Sequence, residues 1–275
     1  MSEADDFVTS SCIGRDVLYG GEFGNQLFQT AAVLGHAERH GVRPLFHSWR
    51  CAFSGRDYGR LFTGLEQCED IRPEHVFEQR SFRYEPIPHR PRCDLRGTFQ
   101  SERFFPEDRA RLRGLLAAPP GIAERVGRVA RGLGDFVALH VRYYDRPHRD
   151  QTPVLHTLPD HYWLAAIARM DPTPPLVLVT NSPARASRFA RRHLRGRDYR
   201  VQSDPDPLVD FYLLTRARQL AVANTSFGWW AGWLNQVAPT VFAPDRRKWF
   251  SFLARADPYW DTADLYGSRF TELPF

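Results

Sequence analysis

Residues 221–235 read AVANTSFGWWAGWLN. The apolar run Leu220, Ala221, Val222 and Ala223 has the length and composition of a buried strand. It stops at Asn224, Thr225 and Ser226, all effective helix N-caps. An apolar helix carrying Trp229, Trp230, Trp233 and Leu234 then begins. A strand that feeds a polar-capped helix start presents backbone N–H groups to an anion. The same residues also suit a plain strand–helix turn with tryptophans in the core. The anion reading gains weight because similar junctions recur in the chain.

One of them is residues 136–142. The run Phe136, Val137, Ala138 and Leu139 ends in His140, Val141 and Arg142. His140 and Arg142 are two apart, so on an extended strand they share a face. An arginine at a strand end suits bidentate contact with a diphosphate, and that contact strengthens as charge builds on a leaving phosphate. A structural ion pair between Arg142 and Asp145 is the other reading. A third junction is GGEFGNQ at 20–26. It matches neither the P-loop nor GxGxxG. Gly21 and Gly24 permit close backbone approach, and Asn25 is an N-cap candidate. A simple turn with a cap explains it equally.

These residues need elements to position them. In the first half the pattern predicts a strand at 17–19, a helix from Gln26 to about His40 ended by Gly41, and a strand at 42–47. Residues 48–96 read as irregular, and helices are expected within 106–117 and 120–131. The second half alternates more cleanly, with strands at 136–141, 176–180, near 199–202, at 220–223 and at 240–243. Helices are expected at 160–170, after the Asn181-Ser182-Pro183 cap, and from Asp206-Pro207 to about Arg218. Strands alternating with helices predict doubly wound parallel sheets, whose ligands sit beyond the carboxyl ends of the strands. The expected division is 1–133 and 134–275, with a cleft between the halves.

Composition narrows the class. The 275 residues are 43% hydrophobic and 25% charged, ordinary for a soluble globular protein. Net charge is +5, which favours an anionic partner weakly. The basic excess is arginine, with Lys248 the single lysine. No run approaches a transmembrane helix, and the acidic N-terminus lacks the features of a signal peptide. An intracellular, cytoplasmic protein is expected. Cys12, Cys51, Cys68 and Cys93 form no CxxC pair, so reduced thiols are expected. No cluster has metal-ligand spacing, and no metal or other cofactor is expected. The arginines are dispersed without a recognition motif, so no nucleic-acid partner is expected.

With these sites in hand, the chain resembles the α-1,2-fucosyltransferases, family 11 of the glycosyltransferases. Members open with GGLGNQMFQYA, and residues 21–31 read GEFGNQLFQTA. They carry GYFQSEKYF, HVRRGD, LSLDYYKKAI and SSFSWWGAWLN. Here 97–105 read GTFQSERFF, 140–145 HVRYYD, 158–167 LPDHYWLAAI and 225–235 TSFGWWAGWLN. The five matches are collinear and span most of the chain.

The resemblance implies a GT-B-like α/β fold of two Rossmann-like halves with a donor site between them. It implies metal-independent, inverting transfer from GDP-fucose to a sugar hydroxyl, the 2-OH of a terminal galactose. Arg142 would bind the β-phosphate and His140 would support the nucleotide. Asn224, Thr225, Ser226 and Phe227 would line the pyrophosphate and sugar pocket. Gly21, Gly24, Asn25 and Gln26 would face the donor from the first half. Asp210 stands where related enzymes hold guanine, although a first-turn helix acid explains it too.

The departures bear on activity. Tyr143 replaces the second arginine of HVRRGD and Tyr144 its glycine, leaving Arg146 or Arg149 to compensate for the lost cation. Glu22 replaces a glycine. A carboxylate there repels a diphosphate unless it points to the acceptor, where it would serve as general base; Asp145 is the other candidate. The acceptor is expected to be a glycan or glycolipid precursor, and the basic charge would favour anionic membrane surfaces. A degenerate nucleotide- or glycan-binding homologue, or a transferase using another GDP-sugar, is the alternative.

Overall fold

The computed structural model describes residues 6–14, 21–144 and 154–275. The chain forms two compact units, 1–117 and 118–275. The division falls ahead of the helix 120–133, and that helix packs on another helix of the second unit.

The N-terminal unit is a four-stranded sheet in the order β2-β1-β4-β3. The strands are β1 (Phe7–Thr9), β2 (Arg43–Pro44), β3 (His75–Glu78) and β4 (Cys93–Arg96), and all pair in parallel. Helix α1 (Phe23–His40) follows β1. It buries Leu27, Phe28, Ala31 and Ala32 and ends at Gly41 with φ 66°, a left-handed cap that glycine adopts without strain. A shorter helix, α2 (Arg109–Leu115), closes the unit.

This half departs from expectation in several places. The strand expected at 17–19 lies outside the described residues, and β1 is instead the unanticipated Phe7–Thr9. Helix α1 starts at Phe23 rather than Gln26, so Asn25 sits inside the first turn and Glu22 is the N-cap, without a side-chain cap bond. The stretch 48–96 supplies β3 and β4. Their sequences, HVFE and CDLR, carry charged residues at alternate or terminal positions that hid them.

The C-terminal unit is a six-stranded parallel sheet in the order β10-β9-β8-β5-β6-β7. Its strands are β5 (Val137–Val141), β6 (Leu176–Thr180), β7 (Tyr199–Gln202), β8 (Gln219–Val222), β9 (Val241–Pro244) and β10 (Phe270–Leu273). Every residue of β5 and β6 is buried, as the continuous apolar runs require. Helices α3 (Pro120–Leu133), α4 (Asp160–Ile167), α5 (Pro183–His193), α6 (Pro207–Leu214) and α7 (Ser226–Leu234) complete the unit. Leu139, Val141, Tyr162, Trp163, Leu178 and Phe189 share one core cluster between the sheet and α4 and α5. The predicted helix to Arg218 stops at Leu214, and β10 was not expected.

The strand order reverses in this sheet between β5 and β8. That places the turns after these two strands at a switch point, where such sheets take ligands. No described helix is long and apolar enough to cross a membrane. All four cysteines are free thiols.

Candidate functional site

Two of the predicted junctions meet at the β5/β8 switch point. Strand β5 pairs with β8 in parallel, with His140 opposite Val222. Thr225 is the N-cap of α7, and its Oγ1 accepts from the Gly228 N–H at 2.9 Å. An α-helix start carries four backbone N–H groups without intrahelical acceptors. Thr225 takes one, and the others of this nine-residue helix, Ser226 and Phe227 among them, lie at the carboxyl end of β8.

His140 is only 6% exposed. Its ring lies 5.2 Å from that of Phe227, which in turn meets Phe211 edge-on at 5.2 Å. A Cβ on Gly228 would come within 2.5 Å of His140 Nδ1, so only glycine lets α7 sit this close to β5. Burial, then the Arg142 charge, lowers the His140 pKa to about 3. The imidazole is therefore neutral near pH 7. Its Nδ1 is buried and makes no hydrogen bond among the described residues.

Arg142 follows β5 and is exposed. Its guanidinium carbon lies 5.6 Å from the centre of the Tyr144 ring. The Tyr144 hydroxyl donates to the Asn224 carbonyl oxygen at 3.4 Å. Tyr144 thus links the turn after β5 to the turn after β8. Asp145, Arg146 and Arg149 lie outside the described residues.

The loop leaving β5 has a second anchor that the sequence reading passed over. The Asn181 amide holds the Tyr143 backbone from both sides: Oδ1 accepts from Tyr143 N–H, and Nδ2 donates to Tyr143 O, each at 2.9 Å. Asn181 was expected to cap α5, but Ser182 occupies the cap position and makes no side-chain cap bond. Tyr143 itself is buried, with the Arg185 guanidinium 4.2 Å from its ring centre. An asparagine ending a buried strand was the available signal.

Asn224 is fully buried. Its Nδ2 donates to the carbonyls of His156 and Trp249, at 3.1 and 2.9 Å, so this side chain braces neighbouring loops. Asp210, in the first turn of α6, accepts from Gln202 Nε2 and from Asp204 N–H, each at 3.0 Å. Burial is the main cause that raises its pKa to about 6. These contacts tie Asp210 to the loop after β7, and each oxygen keeps a second lone pair.

In the N-terminal unit two motifs come together. Gln100 Nε2 donates to Asn25 Oδ1 at 3.0 Å, and Gln29 Nε2 donates to the Gly97 carbonyl at 3.1 Å. The Gln79 side-chain Oε1 accepts from the N–H groups of Thr98 and Phe99. It steadies Phe99 at φ 50°, an unfavourable conformation for a bulky residue. Gln26 is fully buried, and neither end of its amide has a partner among the described residues. Gly21 and Gly24 flank Glu22 and Phe23 at the start of α1.

Among the described residues, no three His, Cys, Asp or Glu side chains converge as a metal site requires. No protein-family model and no curated protein matches the chain. Solved structures do. The chain is similar to the fucosyltransferase NodZ from Bradyrhizobium, with a TM-score of 0.55 and 14% identity over 88% of this chain and 95% of that one. NodZ α-1,6-fucosyltransferase soaked with GDP-fucose gives a TM-score of 0.54 and 15% identity over 86% and 94%. POFUT1 in complex with GDP-fucose gives 0.53 and 10% over 88% and 99%. At these identities the likeness establishes the fold: two parallel-sheet α/β units of the GT-B kind.

Proposed function

We propose that this chain is an inverting glycosyltransferase that moves fucose from GDP-fucose to a glycan hydroxyl, the 2-OH of a terminal galactose. The observation that carries the proposal is Arg142. It is an exposed guanidinium fixed at the β5/β8 switch point, beside the N-terminus of α7. A cation and a helix start together match a diphosphate. The solved GDP-fucose complexes of NodZ and POFUT1 support GDP-fucose as the donor, and the five collinear motifs support the α-1,2 linkage.

On this reading Arg142 binds the β-phosphate, and Thr225, Ser226 and Phe227 line the pyrophosphate and sugar site. Neutral His140 supports the α7 start. Asn224 acts through its backbone, and Asp210 offers its remaining lone pairs to guanine. Gly21, Gly24, Asn25 and Gln26 are the residues of the N-terminal motif assigned to the donor. The acceptor oxygen attacks fucose C1 from the face opposite GDP. The C1–O bond to phosphate breaks, and its electron pair leaves on GDP. Arg142 stabilises the charge that grows there, so the reaction needs no metal. Glu22 is the candidate for taking the acceptor proton, with Asp145 the other carboxylate.

The test is product formation from GDP-fucose and a panel of β-galactosides in the presence of a chelator, with the new linkage assigned by NMR. Acceptor-dependent α-linked product supports the proposal. Tight GDP binding without product favours a homologue that has given up catalysis, for which Tyr143 speaks: it fills the second arginine's place and stacks under Arg185.

A further inference from the structure

The turn before α1 carries a second arrangement, built with residues from the stretch that the sequence left unread. Glu22 is exposed, and its Oε2 accepts from Ser54 Oγ at 3.2 Å and from the Tyr58 hydroxyl at 3.3 Å. Both donors lie on the loop 49–58. The loop is closed by Tyr58 N–H to Trp49 O at 3.2 Å, Cys51 N–H to Arg56 O at 2.7 Å and an antiparallel bridge between Arg50 and Asp57.

Its root is packed firmly. Trp49 stacks on Phe62 at 4.5 Å and donates to Thr30 Oγ1 at 3.0 Å, and Tyr58 meets Phe23 at 4.9 Å. The Cys51 thiol reaches the Gly21 carbonyl at 3.6 Å. Burial, then the Glu22 charge, raises the Tyr58 pKa, so this phenol stays protonated and donating. The tip is the opposite. Phe53, adjacent to Ser54, is 53% exposed.

A firmly rooted loop therefore exposes a phenyl ring one position from Ser54, whose hydroxyl is held by a carboxylate with Oε2 occupied and with no partner for Oε1 among the described residues. A pyranose matches both features, with an apolar C–H face for the ring and hydroxyls for the carboxylate. We infer that the loop 49–58 and Glu22 form a sugar-binding site, with Phe53 stacked on a pyranose face and a sugar hydroxyl on Glu22 Oε1.

The inference rests on the transferase reading in one respect: the bound sugar is the acceptor. The loop accordingly sets acceptor affinity and leaves donor affinity alone.

The test is saturation-transfer NMR titration of methyl β-galactoside and methyl β-glucoside into the whole chain and its F53A and F53W variants, with GDP affinity measured separately on each. Phe53 is exposed, so neither change disturbs the core. The expected result is a glycoside signal on the wild type that weakens about tenfold in F53A and persists in F53W. GDP affinity stays the same in all three. No glycoside signal on the wild type, or F53A binding as well as wild type, overturns the inference. A glycoside site lost in F53A on a protein that does not bind GDP upholds the sugar site and removes the transferase reading.

Discussion

Tyr144 ties Arg142 to the turn after β8: the guanidinium carbon lies 5.6 Å from its ring centre, and the hydroxyl reaches the Asn224 carbonyl at 3.4 Å. A glycine in this place, as in the motif the chain resembles, would leave the guanidinium without that support. Y144F keeps the ring and loses the hydroxyl, so GDP affinity should fall by roughly two- to tenfold. Y144A loses the ring face as well and should fall further. Calorimetric titration of GDP separates the two, and wild-type affinity in both variants would remove Tyr144 from any positioning role.

Asn181 fixes the same loop from the β6 side through its paired bonds to Tyr143. N181A leaves a buried backbone N–H and C=O without partners and should cost about 1–3 kcal/mol. The account expects a lower melting temperature together with weaker GDP binding. Asp at this position can accept from Tyr143 N–H but cannot donate to its carbonyl, so N181D should not restore binding. A thermal melt paired with GDP titration checks both.

Gly228 is required by its approach to His140. A methyl group would meet Nδ1 at 2.5 Å and the Val222 Cβ at 3.1 Å, and both side chains are buried on their strands with little room to yield. G228A should destabilise the chain by about 1–3 kcal/mol and displace the α7 start. Chemical denaturation measures the first effect. Unchanged stability would mean that the helix shifts without penalty.

Two buried groups give pH dependences of opposite sign. The His140 pKa is lowered to about 3. The stability it contributes is present above about pH 6.5, its unfolded value, and is lost as pH falls toward 3. The Asp210 pKa is raised to about 6. Its contribution is present below about pH 3.8 and is lost as pH rises through 6. The D210N variant should therefore gain on the wild type in relative stability between pH 4 and pH 7, by roughly 2–3 kcal/mol before the hydrogen bond lost to the amide is counted. H140Q should lose less stability than the wild type on acidification. Denaturant unfolding at pH 4, 5.5 and 7 reads both slopes.

The C-terminal unit was legible because its strands are continuous apolar runs. The expected 136–141 and 176–180 agree with β5 and β6 to within a residue. Fully buried parallel strands produce such runs, and the polar residues that end them mark the switch point. The N-terminal unit was harder. Strand β4 buries Asp94, which accepts from the Ser11 backbone N–H and hydroxyl, each at 2.7 Å, so a charged residue stands in the core where alternation would call for an apolar one. Glu22 stood out as a substitution, but its partners Ser54 and Tyr58 are 32 and 36 positions away. Nothing local announces a contact of that range. Asn181 was seen at its strand end and assigned to the helix ahead of it. Its amide turned back to β5 instead, a choice that tertiary contact makes and propensity does not.

Titration of GDP into the wild type and the R142A variant, with chelator present, tests the central claim most directly. The account predicts saturable binding to the wild type. R142A should bind about 10- to 150-fold more weakly, the loss expected for a charge-assisted contact worth about 1.5–3 kcal/mol. Equal affinity in the two proteins, or no binding to the wild type, would contradict the assignment of the β5/β8 switch point as the diphosphate site.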